Sequence, residues 1–257
     1  MGNLDVLKKL PKSNYKEEVP EIDENEFLKV IESRRSVRVY TEEKIPDEVV
    51  NKCIDIALLA PNSSNLQPWE FYRIKSEDKK KELAKYCMGQ LAATTAQELI
   101  VCVARMDKWK ERQREMLKSF DESKEDVPRG AYMYYQKIVP AAYTQGFFSL
   151  IGYLKKIIFF FMGIFKVTPR EPTSYSDMRV WAHKSTALAC ENLMLAFRAY
   201  GYDSCPMEGL DSKRVKNLLK LPKGAEICMI VSAGKRSDNG VFAPRIRMPR
   251  EKFVFEV

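Results

Sequence analysis

The feature that most constrains this 257-residue chain is a short, almost wholly apolar run, Glu98 to Ala104 (ELIVCVA), matched late in the sequence by Glu226 to Ala233 (EICMIVSA). Each run is too short for an ordinary core helix and too continuously apolar for a strand with one face in water. Both read as buried strands. A further strand, Glu70 to Ile74, is expected ahead of them.

Around these runs the pattern is helical. Asp23 with Glu26 resembles a capping pair, and Phe27, Val30 and Ile31 give an apolar stripe over residues 25 to 33. Pro46 and Asp47 open a second helix that stops at Pro61, with Val49, Val50, Cys53, Ile54, Ala57 and Leu58 on its inner face. Residues 77 to 87 read as a lysine-rich, solvated helix. Residues 107 to 129 are charged, helical at first and looped near Pro128. Asp177 to Tyr200 reads as a long helix ended by Gly201, apolar nearly all round, as if buried between subunits. The following GYDSCPMEGLD reads as a turn-rich loop, and Asp211 caps a helix through Lys220. Residues 1 to 24 are expected to form an arm, and residues 25 to 257 one domain. The first 20 residues alternate apolar and charged groups around Pro11 and do not read as a secretory signal.

Three arginines and a serine, Arg34, Arg35, Ser36 and Arg38, lie within five residues directly after the first expected helix. Guanidinium forks match phosphate oxygens two at a time, and a serine hydroxyl adds a neutral donor, so the segment has the outline of an anion grip. Alone, three arginines near a helix end are more often a solvated surface. Arg245 and Arg247, in PRIRMP, supply a second cationic pair on a proline-stiffened arm, which is what a doubly charged phosphate would need. The formal charge of +8 favours anionic partners generally. Ala60 to Trp69 (APNSSNLQPW) is a rigid loop of amides and hydroxyls suited to the edge of a planar heterocycle, or a plain connection.

Other chemistry is thinly represented. Six cysteines without a CxxC pair, most inside apolar segments, read as reduced, buried thiols of a cytoplasmic protein. One histidine and no cysteine cluster leave no metal set. His183 has no nucleophile to activate, and Cys205, before Pro206, has no identifiable base, so both read as structural.

The most apolar window is residues 147 to 165 (FFSLIGYLKKIIFFFMGIF), in which Ser149, Gly152, Lys156 and Gly163 share one narrow stripe. Lys155 and Lys156 at its centre would each cost about 2.5 to 3.5 kcal/mol in a membrane span, which argues against one. A lid or dimer-interface element is one reading. A helix resting on a bilayer, suited to a lipid-soluble substrate, is the other.

Taken in order, RRSVR, APNSSNLQPW, the tryptophan-bearing helix leading to GYDSCPMEG, and the late basic-x-basic before proline resemble the FMN-dependent nitroreductase family over roughly residues 25 to 250. An insert at about residues 120 to 175 departs from that pattern. The resemblance implies an α+β fold, a mixed β-sheet flanked by helices in an intertwined homodimer with sites at the interface. It implies FMN whose phosphate is held by Arg34, Arg35, Ser36, Arg38, Arg245 and Arg247. Pro61, Asn62, Ser63, Ser64 and Asn65 would reach the flavin from the partner subunit. Met207 and the backbone of Glu208 and Gly209 would face its reactive edge, and Gln90 its pyrimidine edge. The implied activity is a ping-pong reaction in which NADH or NADPH reduces FMN, and a nitroaromatic, quinone or similar small-molecule acceptor takes the electrons. A flavin carries that chemistry itself, which suits a chain without a triad or paired catalytic carboxylates. Alternatives are a specialised enzyme of the same scaffold, such as a reductive dehalogenase or flavin-cleaving oxygenase, and a non-catalytic flavin-binding protein. Nucleic-acid binding is the weakest, because the phosphate accounts for the arginines.

Overall fold

Alternation along a buried strand sends neighbouring side chains to opposite faces, so a strand with no exposed residue needs a layer on each side. The computed structural model of this chain, which describes residues 16–124 and 127–257, builds those layers. Glu98–Ala104 is buried throughout and forms the second of four strands. The strands are β1 (Trp69–Arg73), β2 (Glu98–Ala104), β3 (Asp203–Met207) and β4 (Glu226–Gly234), in the order β1-β2-β4-β3. Every ladder between them is antiparallel. Parallel pairing is confined to an isolated bridge, Ser36 to Ser204.

The helices, in chain order, are α1 (Glu24–Ser33), α2 (Asp47–Leu58), α3 (Glu77–Tyr86), α4 (Leu91–Thr94), α5 (Trp109–Glu122), α6 (Arg129–Met133), α7 (Val139–Tyr143), α8 (Leu150–Phe165), α9 (Tyr175–Ala199) and α10 (Ser212–Leu218). A π-helical turn, Tyr134–Ile138, joins α6 to α7. On one face of the sheet, Leu99, Val101 and Val103 pack with Leu83 of α3 and Val215 of α10. On the other, Ile100 and Cys102 pack with Val50 and Cys53 of α2 and Leu193 and Phe197 of α9. The six cysteines are free thiols, five of them buried.

Several expectations are corrected. The GYDSCPMEGLD segment is not all loop, because Asp203–Met207 pairs with β4. Pro206 can stand there because β3 is the last strand of the sheet and its missing N–H removes no ladder bond on the inner side. Leu58 is exposed, while Val50, Cys53 and Ala57 carry the buried face of α2. The apolar stripe of α1 exists, but α1 buries none of its residues within this chain. Of the expected N-terminal arm, residues 1 to 15 lie outside the described residues, and Lys16 to Asp23 runs exposed without regular structure.

Asp203 is buried at the start of β3 and neutralised by Arg236, 2.6 Å away, and Arg198, 3.2 Å away. Arg236 also donates to the Ser33 carbonyl at 3.4 Å, which ties the end of α1 to the sheet. Phe197 has no exposed surface and sits where α9 crosses the sheet. Phe197→Ala should therefore cost about 3 to 5 kcal/mol of stability, read as a lower urea midpoint at unchanged slope.

Candidate functional site

The segment after α1 runs along the outer edge of β3. The Val37 amide donates to the Ser204 carbonyl at 3.1 Å and the Arg38 amide to the Gly240 carbonyl at 2.8 Å. Val37 is fully buried, which leaves its neighbours Ser36 and Arg38 to point away from the core. Opposite them runs the 241–247 segment. Arg35 donates to the Ala243 carbonyl at 2.5 Å, Arg245 donates to the Arg34 carbonyl, and the Arg38 guanidinium lies 5.6 Å from the Phe242 ring centroid. Together these two segments line a cavity of about 230 Å³ that includes Arg34, Arg35, Ser36, Arg38, Arg245 and Arg247. Sequence reasoning named all six, and the structure brings them together.

The electrostatics of this cradle are one-sided. Among the described residues, Arg35, Arg38, Arg245 and Arg247 have no carboxylate within ion-pair distance, and Arg34 has a single long contact, 3.9 Å to Glu191 of α9. Like charges gathered without counter-charge call for an anion. Cys205 sits just inside, its thiol pushed up by burial against the opposing influence of Arg38, Ser36 and Arg34.

At the far end of β3, Met207 is buried, and Glu208 and Gly209 leave the strand. The Gln90 amide donates to the Gly209 carbonyl at 2.8 Å, so these four expected residues also cluster. From Ser204, level with the cradle, to Gly209 the chain spans at most about 16 Å at the rise of a strand.

The 61–65 loop lies elsewhere in the chain. Ser64, Asn65 and Gln67 take positive φ values of 59°, 43° and 46°. The Asn62 carboxamide stabilises this turn by accepting from the Gln67 amide at 2.8 Å. No hydrogen bond among the described residues joins the loop to the cradle or to Gly209. Its serines meet tyrosines of the insert instead. The Ser64 hydroxyl lies 2.7 Å from the Tyr134 hydroxyl and 3.1 Å from that of Tyr143, Ser63 lies 3.2 Å from Tyr143, and the Tyr135 hydroxyl donates to the Ser64 carbonyl at 2.7 Å. Burial raises the Tyr143 phenol, outweighing the opposing bonds from Ser63 and Ser64, and the Tyr135 phenol is pushed up to about 12. Both stay protonated through the neutral range.

Sequence reasoning missed these tyrosines; the YMYYQ run ahead of α7 held the signal for Tyr134 and Tyr135, and Tyr143 ends α7 itself. It also missed a cavity of about 430 Å³ lined by Asn62, Ser63, Tyr143, Trp181, Lys184 and Leu188 among others. The Tyr143 ring packs edge-on to Trp181 at 4.8 Å. His183 is structural in its contacts, 3.0 Å from Glu226, which Arg179 also pairs.

Comparison with known proteins identifies the family and the fold. The model of the nitroreductase family matches residues 31–235. A protein of Thermus thermophilus named NADH dehydrogenase is 26% identical over 221 residues, covering 86% of this chain and 91% of the relative. Among solved structures, a protein of Exiguobacterium sibiricum in complex with FMN superposes with a TM-score of 0.65 at 24% identity, covering 92% of this chain and 98% of that one. The NADPH:FMN oxidoreductase of Vibrio harveyi, complexed with NAD+, gives 0.61 at 20% identity, covering 90% and 77%. The chain belongs to the nitroreductase family.

Because Tyr134 and Tyr143 fasten the strained loop, the double variant Tyr134→Phe with Tyr143→Phe should keep the fold but lose about 1 to 3 kcal/mol. Limited proteolysis should then cleave the 61–67 loop faster than in the unaltered protein.

Proposed function

We propose that this member of the nitroreductase family is an oxidoreductase that holds FMN and uses NADH or NADPH to reduce nitroaromatics, quinones or related acceptors. The observation that carries the reading is the arginine cradle without counter-charge beside β3. It has the charge, the donors and the size for a terminal phosphate. The cradle and the Gly209 turn lie at opposite ends of β3, so the residues present fit a group with a phosphate at one end and a polar ring edge at the other.

When bound, FMN supplies the redox chemistry, taking a hydride from the nicotinamide and passing electrons to the acceptor after the nicotinamide has left. The chain's own residues bind and orient it. Arg34, Arg35, Ser36, Arg38, Arg245 and Arg247 hold the phosphate. Gln90, anchored on the Gly209 carbonyl, fixes the loop carrying Met207, Glu208 and Gly209 against the ring. Pro61, Asn62, Ser63, Ser64 and Asn65 act from the partner subunit of a homodimer. Exposed apolar groups support that assembly: Phe27 and Ile31 on α1, Leu59 after α2, and Val180 and Leu188 on α9. A second copy would cover them.

An absorbance spectrum of the purified protein, followed by anaerobic addition of NADPH and then NADH, tests the assignment. Flavin bands that bleach and recover with a nitroaromatic or quinone are expected; a colourless protein that refuses added FMN would overturn it. Arg245→Ala with Arg247→Ala should weaken FMN binding by about a hundredfold or more, since each charge-assisted contact contributes about 1.5 to 3 kcal/mol. Unchanged cofactor occupancy in that variant would remove these two arginines from the site.

A further inference from the structure

Among the described residues, the insert carries a long run of exposed apolar side chains. Of the 16 residues of α8, only Gly152 is buried. Phe147, Phe148, Leu150, Phe161, Ile164 and Phe165 are all at least 60% exposed. Among the described residues, 147–165 is the one stretch long and apolar enough to cross a membrane.

Its attachment rules out crossing. A Cβ on Gly152 would run into the Thr173 carbonyl, and one on Gly163 into the Arg170 guanidinium, so the glycine stripe lets the 168–174 segment lie directly along the helix. Lys155 donates to the carbonyls of Ala141 and Ala142 at 3.1 and 2.8 Å, and Arg170 to that of Phe159 at 2.8 Å. Thus α8 is fastened lengthwise to the domain along one side.

Basic groups outnumber acidic ones around the helix, where Glu171 and Asp177 line the adjoining cavity. Between Val127 and Arg170 stand Arg129, Lys137, Lys155, Lys156, Lys166 and Arg170, with no Asp or Glu. A twofold contact through this face would bring cations against their own copies. An anionic lipid surface meets both properties at once, taking the apolar ridge into its acyl boundary and the lysines at its headgroups. Beneath α8 lies a cavity of about 680 Å³ lined by Phe148, Tyr153, Lys156 and Phe160 among others; it shares Glu171 and Asp177 with the cavity beside Asn62 and Ser63.

We propose that α8 docks this protein in plane on an anionic bilayer and that its acceptor is a lipid-soluble quinone. The second part rests on the function proposed above. The overall reaction takes two electrons and a proton from NADPH with one proton from water, giving hydroquinone and NADP+.

Flotation of the FMN-loaded full chain with phosphatidylcholine vesicles, with and without about 30 mol% phosphatidylglycerol, tests the docking. Binding is expected only with the anionic lipid and should weaken in high salt. The variant Ile157→Ser, Phe161→Ser, Ile164→Ser, altered on the outer face alone, should bind about tenfold less or weaker. It should reduce a prenylated benzoquinone embedded in the vesicles correspondingly slowly, and a water-soluble benzoquinone at the unaltered rate. No binding to anionic vesicles, or equal binding by the variant, would overturn the docking while leaving turnover with the soluble quinone intact. Dissociation of a dimer by the variant, without vesicle binding, would assign α8 to an interface between copies and overturn it equally. Vesicle binding without turnover of either quinone would overturn the assignment of the acceptor and leave the docking standing; a flavin that nicotinamide also fails to reduce would overturn the proposed function as well.

Discussion

The outer edge of β3 has to be closed, and much of the site follows from what closes it. A bare strand edge offers unpaired amides and carbonyls to any passing chain. Here the RRSVR segment covers it through Val37 and Ser204, then crosses to the end of β4, where the Thr41 amide donates to the Lys235 carbonyl at 2.9 Å. Burying Val37 on this edge fixes the direction of Ser36 and Arg38. The Arg38 amide donates to the Gly240 carbonyl, and the 241–247 segment that follows is held opposite by Arg35 donating to the Ala243 carbonyl and Arg245 to the Arg34 carbonyl. Four guanidinium groups without carboxylate partners are therefore held near one another by sheet geometry rather than by mutual attraction, an arrangement that like charges would not reach unaided.

What could be read from residues alone divides along the same line. The strand ELIVCVA was legible because burial on both faces leaves no polar alternation to confuse it. The strand DSCPM was not, because an edge position tolerates Pro206 and its flanking glycines spell a turn. The composition of RRSVR disclosed an anion grip, but nothing in it disclosed that Val37 would be clamped to a strand more than 160 positions later. For the 61–65 loop, stiffness and polarity were legible; its tyrosine partners, about 70 to 80 positions away, were not, since no local period links them. On α1 the apolar stripe was legible, but none of its residues is buried within the single chain.

The insert makes the loop and the exposed helix one mechanical unit. Tyr143 of α7 holds Ser63 and Ser64 and stacks edge-on against Trp181, while the carbonyls of Ala141 and Ala142, one turn or less away, hold Lys155 of α8. Burial lowers the Lys155 ammonium, a cost that its carbonyl contacts offset only while α8 stays seated. An object resting on α8 therefore bears on the Ser63–Ser64 loop through two short links, Lys155 to α7 and Tyr143 to the serines, without passing through the sheet. Tyr143 stays protonated across the neutral range, so its own link to the serines does not titrate there. Contacts of the one insert thus tie α8 through Lys155 to α7, and α7 through Tyr143 to the loop that lines the cavity beside Asn62 and Ser63.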